Sequence, residues 1–359
     1  MALKTEVHPL TMLTAPKSTL TSIELFAGAG GSALGFHNAG INAQLLVDFD
    51  KNCVATMKKN MPKWNVQLAS VNDIALDEYS EKIDVMVGGF PCQSFSYAGQ
   101  RKGFADIRGT LFYEYARLID QVRPRLVVGE NVKGLLTHDK GKTLEALYIA
   151  HLESLGYRVQ YKVLRSQYFD VPQKRERLVI FGLREDQPGD ILFPVEKDYI
   201  ITLREALKKV PKSEGIAYSD AKKKIMELVP PGGYWRDLPL DLQKSYMGGA
   251  YGAGGGQTGM ARRLSWDQPS LTLTCSPTQK QTERCHPSQT RPLTVREYAR
   301  IQSFPDSWQL EGSVTSQYKQ LGNAVPVNLG FHIGLAARKM LGQPSRSKDA
   351  TFFETKKPD

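Results

Sequence analysis

The chain has 359 residues, a net charge of +10, 41% hydrophobic and 23% charged residues. These are the proportions of a water-soluble globular protein with room for one large or two modest domains, and no apolar run approaches the ~18 residues of a membrane span. The positive balance favours a polyanionic partner, while four cysteines without a C-x-x-C pair and six scattered histidines exclude the usual metal-site spacings, so no metal is expected.

The polar, proline-interrupted start, 1–19, has no signal-peptide pattern, so a cytoplasmic location is expected. Strand-like and helix-like stretches then alternate. Residues 21–26 are apolar and run into Phe26-Ala-Gly-Ala-Gly-Gly31. Residues 44–47 form a second apolar run closed by Asp48-Phe49-Asp50. Ile83, Val85 and Val87 alternate in a third strand ending at Gly88-Gly89. Residues 126–128, 159–164 and 178–183 read as three more strands. Leu111, Tyr115, Leu118, Ile119 and Val122 share one helical face; Leu144, Leu147, Tyr148, Leu152 and Leu155 share another, with Gly156 as its C-cap. Strands alternating with helices predict a parallel sheet covered on both faces.

From about 184 to 292 the chain turns irregular and rich in Pro, Gly, Thr and Lys, with seven glycines in 248–259. Thr294-x-x-Glu297 reads as a capping box ahead of Tyr298, Ile301 and Phe304. Residues 317–341 read as a strand or turn followed by a helix. The expected organisation is a catalytic domain over 20–190 plus 318–343, a second region over 191–293, a connecting helix over 294–317, and flexible tails at 1–19 and 344–359.

Four segments carry candidate chemistry. The glycine turn follows a strand and opens a helix, where free N–H groups and missing side chains let a ligand approach; from that turn alone a tight structural turn reads equally well. Asp48 ends the next strand about 20 residues on, where an acid can hold a ribose hydroxyl. Phe49 can stack on adenine, and Asp73-Ile74 ends a further stretch at a similar level. The turn reads G-A-G-G-S-A-L-G rather than the G-x-G-x-x-G of nicotinamide enzymes. Cys92 stands between Pro91 and Gln93 on the loop after the third strand, a stiff mount for a nucleophilic thiolate; a buried structural cysteine is the bland alternative. Glu130-Asn131 ends the fourth strand, where a partly apolar pocket can keep a carboxyl protonated and donating. Arg175 and Arg177 alternate onto one face before the sixth strand, with guanidinium forks suited to a base edge or phosphate, or to a plain surface ion pair.

The order of these segments resembles that of the bacterial, restriction-modification type of DNA (cytosine-5)-methyltransferase, over 22–330. The matching motifs are Glu24-Leu-Phe-Ala-Gly-Ala-Gly-Gly31, Asp48-Phe-Asp50, Asp73-Ile74, Gly89-Phe-Pro-Cys-Gln-Ser-Phe-Ser96, Arg108-Gly-Thr-Leu-Phe112, Glu130-Asn-Val132, Gln173-Lys-Arg-Glu-Arg177, Arg291-Pro-Leu-Thr-Val-Arg-Glu297 and Gln320-Leu-Gly-Asn-Ala-Val325. The resemblance implies an α/β fold: a Rossmann-like S-adenosylmethionine-dependent methyltransferase sheet with a second, smaller, loop-rich target-recognition domain over 191–293.

It also implies roles. Cys92 adds to C6 of a flipped cytosine, Glu130 bonds N3 and the exocyclic amine, Arg175 contacts the base carbonyl, and Arg177 supports Cys92 and Glu130. Phe26, Gly28, Gly30, Asp48, Phe49, Asp73, Ile74, Pro91, Leu111, Asn323 and Val325 are similar to the family's S-adenosylmethionine contacts. The family's usual Glu-Trp pair is here Asp48-Phe49, a shorter acid and smaller ring. Ser96 and Gln100 of the loop are candidate groove contacts. Arg236, Arg262 and Arg263 are the leading candidates for DNA contact in the variable region, beside Lys244, Tyr246, Lys280 and Arg284. The implied partners are double-stranded DNA and a cognate restriction endonuclease acting on the same site, with no membrane, a monomeric protein, and a bacterial cytoplasm in which DNA binding brings it to the nucleoid. Rival readings are a transfer-RNA cytosine-5 methyltransferase of the same family, an NAD-dependent oxidoreductase, and a non-catalytic DNA-binding relative. The long variable region and Gln93-Ser94 disfavour the first; the second leaves Pro91-Cys92, Glu130-Asn131 and the two arginines unexplained; the intact Cys92, Glu130 and Arg175 disfavour the third.

Overall fold

The computed structural model describes residues 12–90, 111–252, 257–343 and 352–355. In chain order it gives β1 (Thr21–Leu25), α1 (Gly31–Asn38), β2 (Asn42–Asp48), α2 (Lys51–Asn60), β3 (Val66–Leu68), β4 (Val85–Gly88), α3 (Leu111–Val122) and β5 (Leu126–Val132). A π-helical turn, Leu144–Ile149, then runs into α4 (Ala150–Ser154) and β6 (Tyr157–Arg165). After these come β7 (Gln173–Lys174), β8 (Glu176–Arg184), β9 (Leu192–Pro194), α5 (Leu203–Ala206), α6 (Asp220–Glu227), α7 (Leu240–Met247) and β10 (Ser270–Leu271). The remainder is α8 (Val295–Ile301), α9 (Val314–Asn323), α10 (Val327–Met340) and β11 (Phe353–Thr355).

The chain divides into two compact units. The larger comprises Met12–Arg165, Glu176–Lys197 and Val325–Asp359. Its centre is a seven-stranded sheet in the order β3-β2-β1-β4-β5-β8-β6. The first five strands are parallel, as expected, and most of their residues are buried and apolar. The sixth is not: β8 runs antiparallel to both β5 and β6. The segment Ser166–Arg175 between β6 and β8 is shorter than the dozen or so residues a parallel crossover needs, so β8 returns beside β6 as an antiparallel neighbour. The short strand β3 escapes the sequence pattern because it buries Val66 while leaving Gln67 and Leu68 exposed.

Helix α1 packs against α10 at very close range. A Cβ built on Gly35 would lie 2.5 Å from the Val327 carbonyl oxygen, inside any real contact. The expected strand ahead of the last helix is a helix instead. Ser313 caps α9 by accepting from the Ser316 N–H, Ala324 leaves helical geometry, and Pro326 opens α10. Both ends carry structure that a tail would lack. Ala15 N–H donates to Asn38 (2.8 Å), and Leu13 is buried with Ala39, Phe331 and Leu335. β11 pairs antiparallel with β9. No helix among the described residues is long and apolar enough to cross a membrane.

Among the described residues, the smaller unit comprises Ser166–Arg175 and Asp198–Ala324. Its boundary falls after Ala324 rather than at 318, because α9 packs with α8: Tyr298 and Tyr318 meet edge-on at 4.9 Å, and the Tyr318 hydroxyl donates to Leu293 (2.7 Å). The capping box of α8 forms as predicted, and Glu297 also holds Arg291 at 2.8 Å. A local core of Met226, Val229, Trp235, Leu238, Met247, Met260, Ala261 and Cys285 replaces the large sheet.

Candidate active site

The larger unit builds a hollow at the carboxyl ends of β1 and β2, where open parallel sheets place ligands. β1 ends at Leu25, and Phe26 adopts φ 58°, a left-handed conformation that a bulky residue adopts only under constraint. Gly28 (φ 56°) and Gly30 (φ 83°) complete the turn, and Gly30 is the N-cap of α1. Asp48 locks it: one carboxylate oxygen accepts from Gly28 N–H (2.7 Å) and the other from Asp50 N–H (2.8 Å). The hollow is lined by Phe26, Val47, Asp48, Phe49, Ala69, Ser70, Val71 and Leu111. A Cβ on Gly28 would meet nothing within 4 Å, so the turn faces open space.

Four predicted cofactor contacts, Phe26, Asp48, Phe49 and Leu111, therefore meet around one hollow. Asp73 is exposed and Ile74 packs against the central core, and neither lines it. Its third wall is Ala69, Ser70 and Val71, which the sequence reading missed because β3 carries no clear periodicity. The contents fit an adenosine: an acid for the ribose, an exposed ring in Phe49, and apolar walls. They equally suit S-adenosylmethionine, which brings no pyrophosphate to a helix end. Beneath the hollow lies Glu24, a carboxyl unassigned by sequence. Burial pushes its pKa up to about 8; a hydrogen bond with Ser32 opposes this, and the charges of Asp48 and Glu130 add to it.

β5 and β8 bring together the second cluster. In their antiparallel register Arg177 faces Val132, so its side chain shares a face with Glu130 two residues back. Arg177 Nε and Glu130 Oε1 form an ion pair at 2.7 Å, with both side chains largely buried. A Cβ on Gly89 would stand 3.3 Å from Glu130 Oε2, so the main chain after β4 passes directly beside the carboxylate. That main chain is fixed on two sides. Asn131 Nδ2 donates to Phe90 (3.1 Å), and the Phe90 ring stacks on Tyr148 at 4.9 Å within a cluster that includes Phe112 and Tyr115. Gly88 is required there, since a Cβ would lie 2.7 Å from the Tyr115 ring. The fixed segment leads straight into Pro91-Cys92. Pro91, Cys92, Ser96 and Gln100 lie outside the described residues.

The smaller unit holds the other predicted residues except Val325, which is half-buried ahead of α10. The expected shared face of Arg175 and Arg177 does not form, because the strand breaks at Arg175 between β7 and β8. The Arg175 guanidinium is buried and donates to the carbonyls of Leu273 (3.1 Å) and Gly322 (3.0 Å). Asn323, the last residue of α9, accepts from the Cys275 thiol at 3.0 Å. Arg263, expected at DNA, is a correction. It is buried and donates to the carbonyls of Val229, Met226 and His286 and to the Thr290 hydroxyl, so its fork is consumed inside the unit. Arg284 is likewise bound to Thr272 and Glu283 carbonyls. Arg236 and Arg262 lie over the rings of Trp235 and Tyr234. No cluster of three or more His, Cys, Asp or Glu among the described residues could hold a metal.

Sheet order, glycine turn and acid-lined hollow define a nucleoside-dependent methyltransferase fold. The S. pombe Dnmt2 methyltransferase superposes on the chain with a TM-score of 0.64 at 15% identity, covering 90% of this chain and 99% of its own. Residues 20–339 match the family model for C-5 cytosine-specific DNA methylases, and the chain belongs to that family. It is a DNA cytosine-5 methyltransferase, which removes the oxidoreductase reading. It is 53% identical to the Type II methyltransferase M.Eco47II of Escherichia coli over 331 residues, 89% of this chain and 79% of that one. Identity to the Type II methyltransferase M.Sau96I of Staphylococcus aureus is also 53%, over 327 residues, with 89% and 76% covered.

Proposed function

We propose that the protein methylates C5 of one cytosine within a specific double-stranded DNA sequence, with Cys92 as nucleophile and the cytosine turned out of the stack. The observation that carries this reading is the Glu130–Arg177 pair set beside the main chain that enters Pro91-Cys92. Aromatic C5 is a poor nucleophile. A Cys92 thiolate adding at C6 pushes electron density to N3 and C5; Glu130 meets it by bonding the exocyclic amine and sharing a proton with N3, while Arg177 fixes the carboxyl. C5 takes the methyl group, loses its proton to a base, and the Cys92–C6 bond breaks to restore the ring and the thiolate. S-adenosylmethionine, bound in the hollow, supplies that methyl group as an electrophile. Asp48 would accept from its ribose hydroxyls, with Phe26, Phe49 and Leu111 around the adenine.

The smaller unit would read the target sequence, and flipping is the route by which enzymes reach an atom inside the stack. The Type II names of the relatives support placing the protein in a restriction-modification system beside an endonuclease for the same site. The test is covalent trapping. With DNA carrying 5-fluorocytosine at the target, the intact protein is expected to give a denaturant-stable adduct and Cys92→Ser none. An adduct from Cys92→Ser would overturn the assignment.

A further inference from the structure

The arginines of the smaller unit differ in one respect. Arg175, Arg204, Arg263, Arg284, Arg291, Arg296 and Arg300 each direct at least two guanidinium nitrogens to carbonyls or carboxylates within the unit. The guanidinium groups of Arg236 and Arg262 make no hydrogen bond or ion pair among the described residues. Arg236 is exposed and solvated; Arg262 is half-buried. Burial holds the Arg262 pKa below its usual value, and its Nε is both buried and unbonded, a cost that stability alone does not explain.

The mount of Arg262 is rigid. Main-chain bonds join Trp235 N–H to Met260 (3.1 Å), Arg263 N–H to Gly233 (3.1 Å) and Cys285 N–H to Arg262 (3.0 Å), zipping three segments together. The two neighbouring arginines part company here: Arg263 turns inward and is buried, while Arg262 stays half-buried. The Arg262 guanidinium carbon sits 5.6 Å from the Tyr234 ring centre in a cation–π contact.

We propose that Arg262, carried on Tyr234, is a specificity-determining residue that reads the O6 and N7 edge of a guanine in the target sequence. This rests on the DNA-methylating reading above. A planar fork that makes no hydrogen bond among the described residues, set on Tyr234 within reach of the Asp237 charge, matches that edge bidentately, the commonest arginine contact to a base. A phosphate contact asks for no such fixing and suits Arg236, exposed beside Trp235.

The experiment presents the full-length protein and its variants with a library of randomised duplex sites and maps 5-methylcytosine by sequencing. The intact protein is expected to yield one motif. Arg262→Ala and Arg262→Met are expected to lose preference for guanine at one position, with the original site methylated at least about tenfold more slowly. Arg236→Ala is expected to slow every site alike and leave the motif unchanged. An Arg262→Met protein with the unchanged motif overturns the proposal, whether its rate is normal or uniformly reduced, the latter marking a phosphate contact. The methionine variant decides even if the alanine variant melts early, since it keeps an unbranched stem of similar length and removes every donor. Absence of 5-methylcytosine with the intact protein would strike the proposed function instead.

Discussion

Glu24 shows how a single residue couples the hollow to the Glu130 cluster. Its carboxyl has a pKa of about 8 in the folded protein against 4.5 ordinarily, chiefly through burial. The folded state therefore binds the proton more tightly than the unfolded one. The stability this contributes is full below about 4.5 and is lost as pH rises through about 8. Glu24→Gln, which mimics the neutral acid, is expected to flatten the fall in melting temperature between pH 5 and 8.5. Equal slopes for the two proteins would show that Glu24 does not titrate in that window. The sequence located some residues well and others not. Asp48 and Phe49 were legible because a strand-end acid about 20 residues past a glycine turn has few other uses. Glu24 was not, because its environment is made by Ser32, Asp48 and Glu130 from three other segments. Neighbouring Arg262 and Arg263 looked interchangeable, yet Arg263 turns inward and is buried while Arg262 stays half-buried.

At the scale of elements, α1 against α10 sets two effects in opposition. Gly→Ala inside a helix ordinarily gains up to about 1 kcal/mol. At Gly35 the new Cβ would lie 2.5 Å from the Val327 oxygen and 2.6 Å from the Phe331 nitrogen, both main-chain atoms that cannot swing aside. Overpacking of this kind costs about 1–3 kcal/mol, so the clash wins. Gly35→Ala is expected to lower the melting temperature by several degrees; a rise would mean the helices separate freely. The parallel half of the sheet was readable because its strands are continuous apolar runs followed by helical periodicity. The antiparallel return of β8 was readable in principle, from the shortness of Ser166–Arg175, but alternation at Arg175 and Arg177 suggested an unbroken strand. α9 was misread because its buried Leu321 and Gly322 run on through Ala324 to the apolar start of α10, masking the break between two helices.

At the scale of the molecule, the two units are interleaved in sequence. The chain passes between them at Arg165/Ser166, Arg175/Glu176, Lys197/Asp198 and Ala324/Val325. The short excursion Ser166–Arg175 is part of the smaller unit's interior. Gln173 is fully buried, its amide nitrogen donates to Gln302 (2.8 Å), its oxygen accepts from Leu273 N–H (2.8 Å), and β7 pairs with β10. A fragment spanning 198–324 would leave those groups unsatisfied and Arg175's two carbonyl partners empty. It is expected to be digested rapidly by protease under conditions that spare the same residues in the full chain. Resistance of the fragment would show that the excursion is dispensable.

The excursion bears on how sequence preference can be traded between relatives. An exchange of 198–324 alone would import the proposed reading surface without the ten or so residues that brace its interior. A working hybrid needs a second exchange, around Gln173, drawn from the same parent. Recombination between such genes is thus constrained by one buried glutamine.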